Sequence, residues 1–321
     1  TYFKGISILM MPVIFILLIY TASQGNLIGG ANANRWIEIP IFGFSFQTST
    51  LASIILMIYS AHYISKSYDK NLKFQNSILF LWMPVISIVM LIFPSNFSTA
   101  VILFSMVIVQ VFIGGYPMKH LLYILGFGVT MIFIFILSIK AFPDIIPNRI
   151  DTWTNRIENF RSGKTDGNYQ IERAKIAIAS GGFYGQGAGK SVMKNFLPQS
   201  SSDFIYAIII EEYGLVGGII LILLYVLLLF RLVVIVHKST SLFGKLLVIG
   251  LGFPIVFQAF INIGVTLEVF PVTGQTLPLV SSGGTSAWMT FIALGIILSV
   301  SSSIDNNVLN NVNPLAVLSE E

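Results

Sequence analysis

The sequence predicts an all-α, polytopic integral membrane protein, a bundle of about eight spans with one large polar loop. Hydrophobic residues make up 55% of the 321 residues, and the mean hydropathy is +0.83. Charged residues make up only 10%, against about 25% in soluble globular proteins. The apolar residues are grouped into runs close to the roughly 20 residues that a membrane-spanning helix requires.

Eight such runs follow one another, and each predicts one span. They cover approximately residues 5–21, 50–65, 76–93, 98–115, 119–139, 204–230, 245–267 and 285–304. An even number of spans places both ends of the sequence on one side of the membrane. We treat residues 1–321 as a single membrane domain, in which residues 140–203 form the large polar loop.

Positive charge is concentrated in the short joints on one side of the predicted bundle. The joints near residues 66–73, 116–120 and 231–245 are almost purely basic, and the positive-inside rule assigns them to the cytoplasmic side. Loop 140–203 is then extracytoplasmic. Within this loop, residues 169–180 show apolar residues at helical spacing, and Gly181-Gly182 follows as a stop. We therefore predict a helix there.

Composition excludes several classes of chemistry. The sequence contains no cysteine, which excludes disulfides, thiol catalysis and cysteine-type zinc sites. Its three histidines, His62, His120 and His237, lie far apart in sequence, which argues against a histidine metal site or a Ser-His triad. The basic residues do not form a nucleic-acid recognition motif.

The leading functional candidate is Asp203, which ends the polar loop directly before an apolar span. Glu211 and Glu212 follow inside that span. Ionisable groups at or within a membrane are costly to maintain and indicate a functional site. For Glu211 and Glu212 a structural alternative stays open, namely that one or both pair with a buried arginine.

The glycine-rich residues 185–191 are similar to a phosphate-binding loop, but the spacing differs from that of a Walker motif and no strand precedes them. Two interpretations remain: the backbone beside Lys190 contacts a phosphate, or the segment is a simple tight turn.

Two further polar segments flank spans. Arg35-Trp36, followed by Gln47, is either an interfacial anchor or part of a site. Residues 278–286 are a polar break directly before the last span, and irregular backbone at membrane depth is tolerated where it lines a cavity or is buried in protein. We therefore expect a cavity wall there.

Taken in order, these motifs resemble the SEDS family (shape, elongation, division and sporulation), most closely its division branch. The resemblance covers nearly the whole chain and rests on Arg35-Trp36-Ile37, Phe46-Gln47, Asn168-Tyr169-Gln170, Lys175 to Ile178, Gly181-Gly182, Gly185-Gln186-Gly187, Ser191-Val192, Leu197-Pro198 to Ile205, Glu211 to Gly214, and Thr276-Leu277-Pro278 to Gly284. The family has ten spans. The first run here corresponds to the third, so the first two are missing from this numbering.

The resemblance implies a peptidoglycan glycosyltransferase that polymerises lipid II into glycan strands on the outer face of the bacterial cytoplasmic (inner) membrane, at the division septum. Asp203 would be the general base, and undecaprenyl diphosphate the leaving group. The implied substrate-binding residues are Arg35, Trp36, Gln47, Tyr169, Gln170, Arg173, Lys175, Lys190, Lys194, Pro198, Glu212, Ser281, Gly283 and Gly284.

No tightly bound cofactor is expected, although a divalent cation, Mg or Mn, could assist. The implied partners are an FtsI-type class B penicillin-binding protein, which is a transpeptidase, and divisome regulatory subunits of the FtsQ, FtsL and FtsB type.

Two alternatives stay open, the first because a polytopic bundle with buried carboxylates also suits transport, and the second because four positions depart from the family pattern. Thr48-Ser49-Thr50 and Ser53 stand where the family carries charged residues, and Asn96, Gln199 and Thr285 replace a common Asp, Glu and Ser. The alternatives are a lipid II flippase or transporter, and an inactive scaffold for the penicillin-binding protein.

Overall fold

The computed structural model describes residues 2–24, 36–39, 44–68, 74–141 and 169–312, together with Glu158 and Phe160. Helices lie at all eight predicted span positions, and a ninth lies in the large loop. In chain order they are α1 (Tyr2–Gln24), α2 (Thr48–Ser67), α3 (Phe74–Ile92), α4 (Phe97–Ile113), α5 (Met118–Ala141), α6 (Tyr169–Gly181), α7 (Ile205–Lys238), α8 (Leu242–Thr266) and α9 (Gly284–Val312). Helix α3 contains a π-helical turn at Ile78–Trp82.

Five helical segments in the described residues are long and apolar enough to cross a membrane. They are Phe3–Ser23, Phe74–Ile92, Ile205–Lys238, Leu242–Thr266 and Ser286–Ile304. Phe97–Ile113 and Met118–Met131 are shorter apolar helices, and α2 carries several hydroxyl side chains. The prediction of a polytopic helical membrane protein is confirmed.

Helix α8 lies at the centre of the bundle, whereas α7 is peripheral. In its most apolar window, 67% of α8 is buried inside the protein but only 11% of α7. Helix α8 packs against α2, α4, α7 and α9. Most of α7 therefore presents apolar side chains outward, as a lipid-facing helix does.

A buried amide joins three of these helices. Gln110 on α4 has no exposed surface, and its Nε2 donates to the carbonyls of Met57 at 3.0 Å and Leu246 at 2.9 Å. The Ser60 hydroxyl donates to its Oε1. Every strong hydrogen-bonding atom of the amide is thus used, as burial in an apolar core demands.

Different contacts stabilise the two ends of the bundle. At one end, the Lys4 ammonium lies 4.9 Å from the centre of the Phe243 ring. At the other, the Gln275 amide donates to the Thr99 hydroxyl at 3.1 Å, and the Ser98 hydroxyl donates to the Thr273 carbonyl at 3.2 Å. The segment after α8 is therefore hydrogen-bonded to the first turn of α4.

Two local features differ from the sequence expectations. No strand was predicted in the polar segment that contains Trp36 and Gln47, but there β1 (Trp36–Ile39) pairs antiparallel with β2 (Phe44–Gln47). The alternation of large apolar and polar residues on both sides of Gly43 was the available signal. The span predicted over 204–230 extends to Lys238, and at Gly214 its backbone is non-helical, with φ 69° and ψ −172°.

Candidate active site

Asp203 lies in the turn directly before α7 and is half-buried. Its carboxylate faces Gly274, because a Cβ placed on that glycine would lie 3.6 Å from Asp203 Oδ2. Gly274 has φ +67°, a conformation that glycine adopts without the steric cost other residues incur. The carboxylate thus points toward the segment that follows α8.

That segment includes the predicted cavity wall, and hydrogen bonds tie it to the turn that carries Asp203. The amide of Ser282 donates to the Ser201 carbonyl at 2.8 Å. The hydroxyl of Ser281 donates to the Ser202 carbonyl at 2.5 Å. Two polar motifs about 80 residues apart in sequence are therefore joined at one site.

Three side chains from the membrane helices hold the same segment. Asn262 Nδ2 donates to the carbonyls of Asp203 at 2.6 Å and Gln275 at 2.7 Å. Gln258 Nε2 donates to the Thr276 carbonyl at 2.9 Å, and the Tyr225 hydroxyl donates to the Pro278 carbonyl. None of these side chains belongs to a motif that the sequence made recognisable. The available signal was an amide inside an apolar span.

Helix α6 confirms the helix predicted in the polar loop, and it packs closely on α7. Ala174 and Ala177 are fully buried, and both lie in a cluster with Phe204 and Ala207. A Cβ placed on Gly181 would lie 2.0 Å from the carbonyl oxygen of Ile210. Small residues on this face of α6 let the two backbones approach.

The glycine-rich turn pairs with the break in α7. The amides of Gln186 and Gly187 each donate at 2.9 Å, to the carbonyls of Glu211 and Glu212 respectively. In return, the amide of Leu215 donates to the Gly182 carbonyl at 2.9 Å. The Gly185 amide also donates, to the Gly181 carbonyl at 2.8 Å. These bonds favour the tight-turn interpretation, because they occupy three donors of the turn.

Glu211 connects the next part of the loop to α7. Only 1% of its surface is exposed. Its carboxylate accepts hydrogen bonds from the Ser191 hydroxyl and from the amides of Val192 at 3.1 Å and Met193 at 3.3 Å. Among the described residues, the carboxylate of Glu211 is held by these hydrogen bonds and not by an arginine. Glu212 makes a longer contact, from the Ser191 amide at 3.4 Å.

The basic residues predicted to bind substrate differ in the contacts that they make with the rest of the protein. The Arg173 guanidinium lies 4.9 Å from the Tyr169 ring centre, and its buried Nε has no partner among the described residues. Lys175 forms an ion pair with Glu268 at 2.8 Å. Lys194 Nζ donates to the Gly189 carbonyl at 2.8 Å, and Lys190 is exposed.

The hairpin brings Trp36 opposite Gln47, and β2 contacts α9. Gln47 Nε2 donates to the Ser49 hydroxyl at 3.1 Å. Thr50 and Ser53 stand where the resemblance implied charged residues. Their hydroxyls donate to the main-chain carbonyls of Gln47 at 2.7 Å and Ser49 at 2.8 Å. A small cleft of about 10 Å³ at the start of α2 is lined by Leu18, Thr21, Ala22, Thr48, Ser49, Leu91 and Ser95.

The other predicted site residues lie as follows. Pro198 is exposed, Gln170 is half-buried, and Gly284 begins α9. The Gly283 carbonyl accepts from the Ala287 amide at 2.9 Å in the first turn of that helix. Arg35 lies outside the described residues. Within the described ranges, no three His, Asp or Glu side chains form a group that could hold a metal ion.

The protein is a multi-pass membrane protein with a polar site at one end of its helical bundle. The site contains the carboxylate of Asp203, and the basic helix α6 packs beside it. The sequence model of the family described as cell cycle protein, which covers FtsW, RodA and SpoVE, matches residues 2–306. The chain belongs to this family, which confirms the resemblance drawn from the motifs.

Similar proteins include two named "Probable peptidoglycan glycosyltransferase FtsW". The one from Hydrogenovibrio crunogenus is 32% identical over 92% of this chain and 74% of its own length. The one from Geobacter metallireducens is 32% identical over 93% of this chain and 77% of its own length.

Two solved structures share the fold. One is a chain from a structure on the coordination of polymerization and crosslinking by a peptidoglycan synthase complex, with TM-score 0.71 and 25% identity over 94% of this chain and 82% of that one. The other is the rod shape determining protein RodA of Thermus thermophilus, with TM-score 0.62 and 25% identity over 93% of this chain and 78% of that one.

Proposed function

We propose that this protein is a peptidoglycan glycosyltransferase that polymerises lipid II into glycan strands. The names of the similar proteins support the activity. The observation that carries the assignment of the site is the position of Asp203, because its turn is hydrogen-bonded to the 281–282 segment and to α8. A carboxylate held in this way at the mouth of a membrane bundle suits a base that acts on a lipid-linked sugar.

In the proposed reaction, the acceptor is a sugar 4-hydroxyl, which is a poor nucleophile until it loses its proton. Asp203 takes this proton as the hydroxyl oxygen forms a bond to the anomeric carbon of the donor sugar. The bond from that carbon to undecaprenyl diphosphate breaks, and its electron pair leaves on the diphosphate. General base catalysis of this kind typically contributes about 10²–10⁴-fold. One-step displacement converts an α-linked donor into a β-linked product.

The leaving diphosphate needs positive charge and hydrogen-bond donors rather than a general acid. Arg173, Lys190 and Lys194 are the candidates on the loop, and the buried Nε of Arg173 has no acceptor among the described residues. Lys175 is already paired with Glu268, which makes it a weaker candidate. A divalent cation, Mg or Mn, would accompany the diphosphate, and no step of the proposed reaction depends on it.

We place the protein in the bacterial cytoplasmic membrane at the division septum, with Asp203 on the extracytoplasmic face. The basic joints support this orientation. Its proposed partner is an FtsI-type class B penicillin-binding protein, together with divisome regulatory subunits. The structural similarity to a chain of a peptidoglycan synthase complex supports such a partner.

The test is polymerisation of labelled lipid II by the purified protein with its penicillin-binding partner, in the presence of moenomycin to inhibit unrelated glycosyltransferases. We expect glycan polymer. Transfer of labelled lipid II from one leaflet of a liposome membrane to the other, without formation of glycan polymer, would instead identify a flippase. Partner binding with neither activity would identify a scaffold and would direct attention to the neutral Thr50 and Ser53.

A further inference from the structure

The side chain of Asn262 lies in the last third of α8 and bridges two separate parts of the site. Its Nδ2 donates to the carbonyl of Asp203 at 2.6 Å and to the carbonyl of Gln275 at 2.7 Å. Only 1% of Asn262 is exposed. One amide nitrogen therefore uses both of its hydrogens to join the turn before α7 to the segment after α8.

The orientation of this amide is fixed by its partners. Both are carbonyl oxygens, which accept and cannot donate, so the nitrogen and not the oxygen must face them. The Oδ1 atom is buried and has no hydrogen-bond partner among the described residues. A buried acceptor without a partner is unfavourable, because it has lost its hydrogen bonds to water. The residue thus retains an unfavourable atom while its nitrogen makes the two bridges.

We propose that Asn262 is a positioning residue that holds Asp203 in its reactive orientation. The inference rests on the proposed function, in which Asp203 is the base. The Asn262 amide holds the main chain of Asp203 through one hydrogen bond and that of Gln275 through the other. Gly274, the residue before Gln275, lies opposite the Oδ2 atom of Asp203. Asn262 is the side chain that bonds directly to Asp203 and to Gln275, next to Gly274, whereas the bonds from Ser281 and Ser282 join the same two segments farther from the carboxylate. Loss of the bridge lets both parts move, and a misplacement of about 1 Å can lower a rate about 100-fold.

Gln110 provides a matched control for the loss of a buried amide bridge. Its Nε2 also donates to two main-chain carbonyls, those of Met57 and Leu246, and it is likewise buried. It joins helices in the middle of the bundle rather than at the site. Asn262→Ala and Gln110→Ala thus both remove an amide that joins two main-chain segments, but only the first change affects Asp203.

The experiment compares the wild type, Asn262→Ala, Asn262→Asp, Gln110→Ala and Asp203→Asn in the complex with the penicillin-binding partner. Unfolding temperature and gel filtration select preparations that are folded. The rate of lipid II polymerisation is measured over a range of lipid II concentrations. Asn262→Asp keeps the shape of the side chain but can donate at most one hydrogen, so it tests the bridge if the alanine variant does not fold.

We expect Asn262→Ala to lower kcat about 10–100-fold with KM within about threefold of wild type, because positioning of the base acts on the transition state. Gln110→Ala should lower the unfolding temperature while kcat stays within about threefold of wild type.

If kcat of both Asn262 variants equals that of Gln110→Ala while Asp203→Asn is inactive, the positioning role is overturned and the proposed function stands. If Asp203→Asn polymerises at the wild-type rate, Asp203 is not the base. The proposed mechanism then fails whatever the Asn262 variants do.

Discussion

The carboxylate of Glu211 accepts a hydrogen bond from the hydroxyl of Ser191, so a membrane helix and the polar loop that precedes it are joined by a buried acid. The amides of Val192 and Met193 donate to the same carboxylate. Lys190 and Lys194 flank these three residues in sequence. Glu211 therefore anchors the part of the loop that presents the proposed diphosphate-binding cations.

Replacing Glu211 by glutamine should loosen this anchor. A glutamine has one acceptor oxygen, and its NH₂ group would face main-chain amides that also donate, so at least one buried donor loses its partner. We expect a loss of about 1–3 kcal/mol in the free energy of unfolding, measured as a lower unfolding temperature in detergent. Cleavage of the loop near residues 190–195 by a protease should become faster.

Glu212→Gln is the control for this change. Glu212 is half-buried and accepts from the Ser191 amide at 3.4 Å, so its replacement should have little effect on either measurement. Equal effects of the two variants would contradict the anchoring role of Glu211.

Gly214→Ala should destabilise the break in α7. Its φ of 69° and ψ of −172° lie in a region occupied almost only by glycine, where other residues cost about 1–3 kcal/mol. An added Cβ would also lie 2.2 Å from the Phe183 carbonyl oxygen. Gly126→Ala is the control, since a Cβ there meets nothing within 4 Å. Thermal unfolding that changes equally in both variants would contradict this account of the break.

Gly181→Ala should separate α6 from α7. The new Cβ would lie 2.0 Å from the Ile210 carbonyl oxygen, and this backbone atom cannot move aside as a flexible side chain can. Overpacking of this kind costs about 1–3 kcal/mol. We expect a lower unfolding temperature and faster hydrogen exchange in residues 169–181. Exchange that stays at the wild-type rate would show that the helices do not pack as described.

The ion pair between Lys175 and Glu268 offers a test of which cations bind substrate. Both side chains are partly exposed, so the pair should contribute at most about 1 kcal/mol and less at high salt. We expect Lys190→Ala to raise the KM for lipid II more than Lys175→Ala does. We also expect Lys175→Ala and Glu268→Ala to change KM alike. A larger KM for Lys175→Ala than for Lys190→Ala would assign substrate binding to Lys175.

The sequence was sufficient to predict the helices and much of the chemistry, because both depend on local patterns. Apolar runs predicted a helix at each of the eight positions, five of which are long and apolar enough to cross a membrane, and the spacing of Ile171, Ala174 and Ile178 predicted α6. Asp203 was noticed because a charge at the edge of an apolar run is costly.

The arrangement of the site could not be predicted in the same way. The bonds from Ser281 and Ser282 to the Asp203 turn join segments about 80 residues apart in sequence, and no local period encodes such pairing. Asn262 was missed because one polar residue in an apolar span does not reveal its partners. For the glycine-rich turn, phosphate contact and a tight turn both stayed open, because its partner, the break at Gly214, is visible only in the fold.

The most direct test of the account is a comparison of lipid II polymerisation by the wild type, Asp203→Asn and Glu268→Gln, each in complex with the penicillin-binding partner and with moenomycin present. Glu268→Gln neutralises another carboxylate near the same end of the protein and controls for the loss of charge. The account predicts polymer from the wild type and Glu268→Gln and none from Asp203→Asn, although all three fold and bind the partner. Polymer from Asp203→Asn at the wild-type rate would contradict the assignment of Asp203 as the catalytic base.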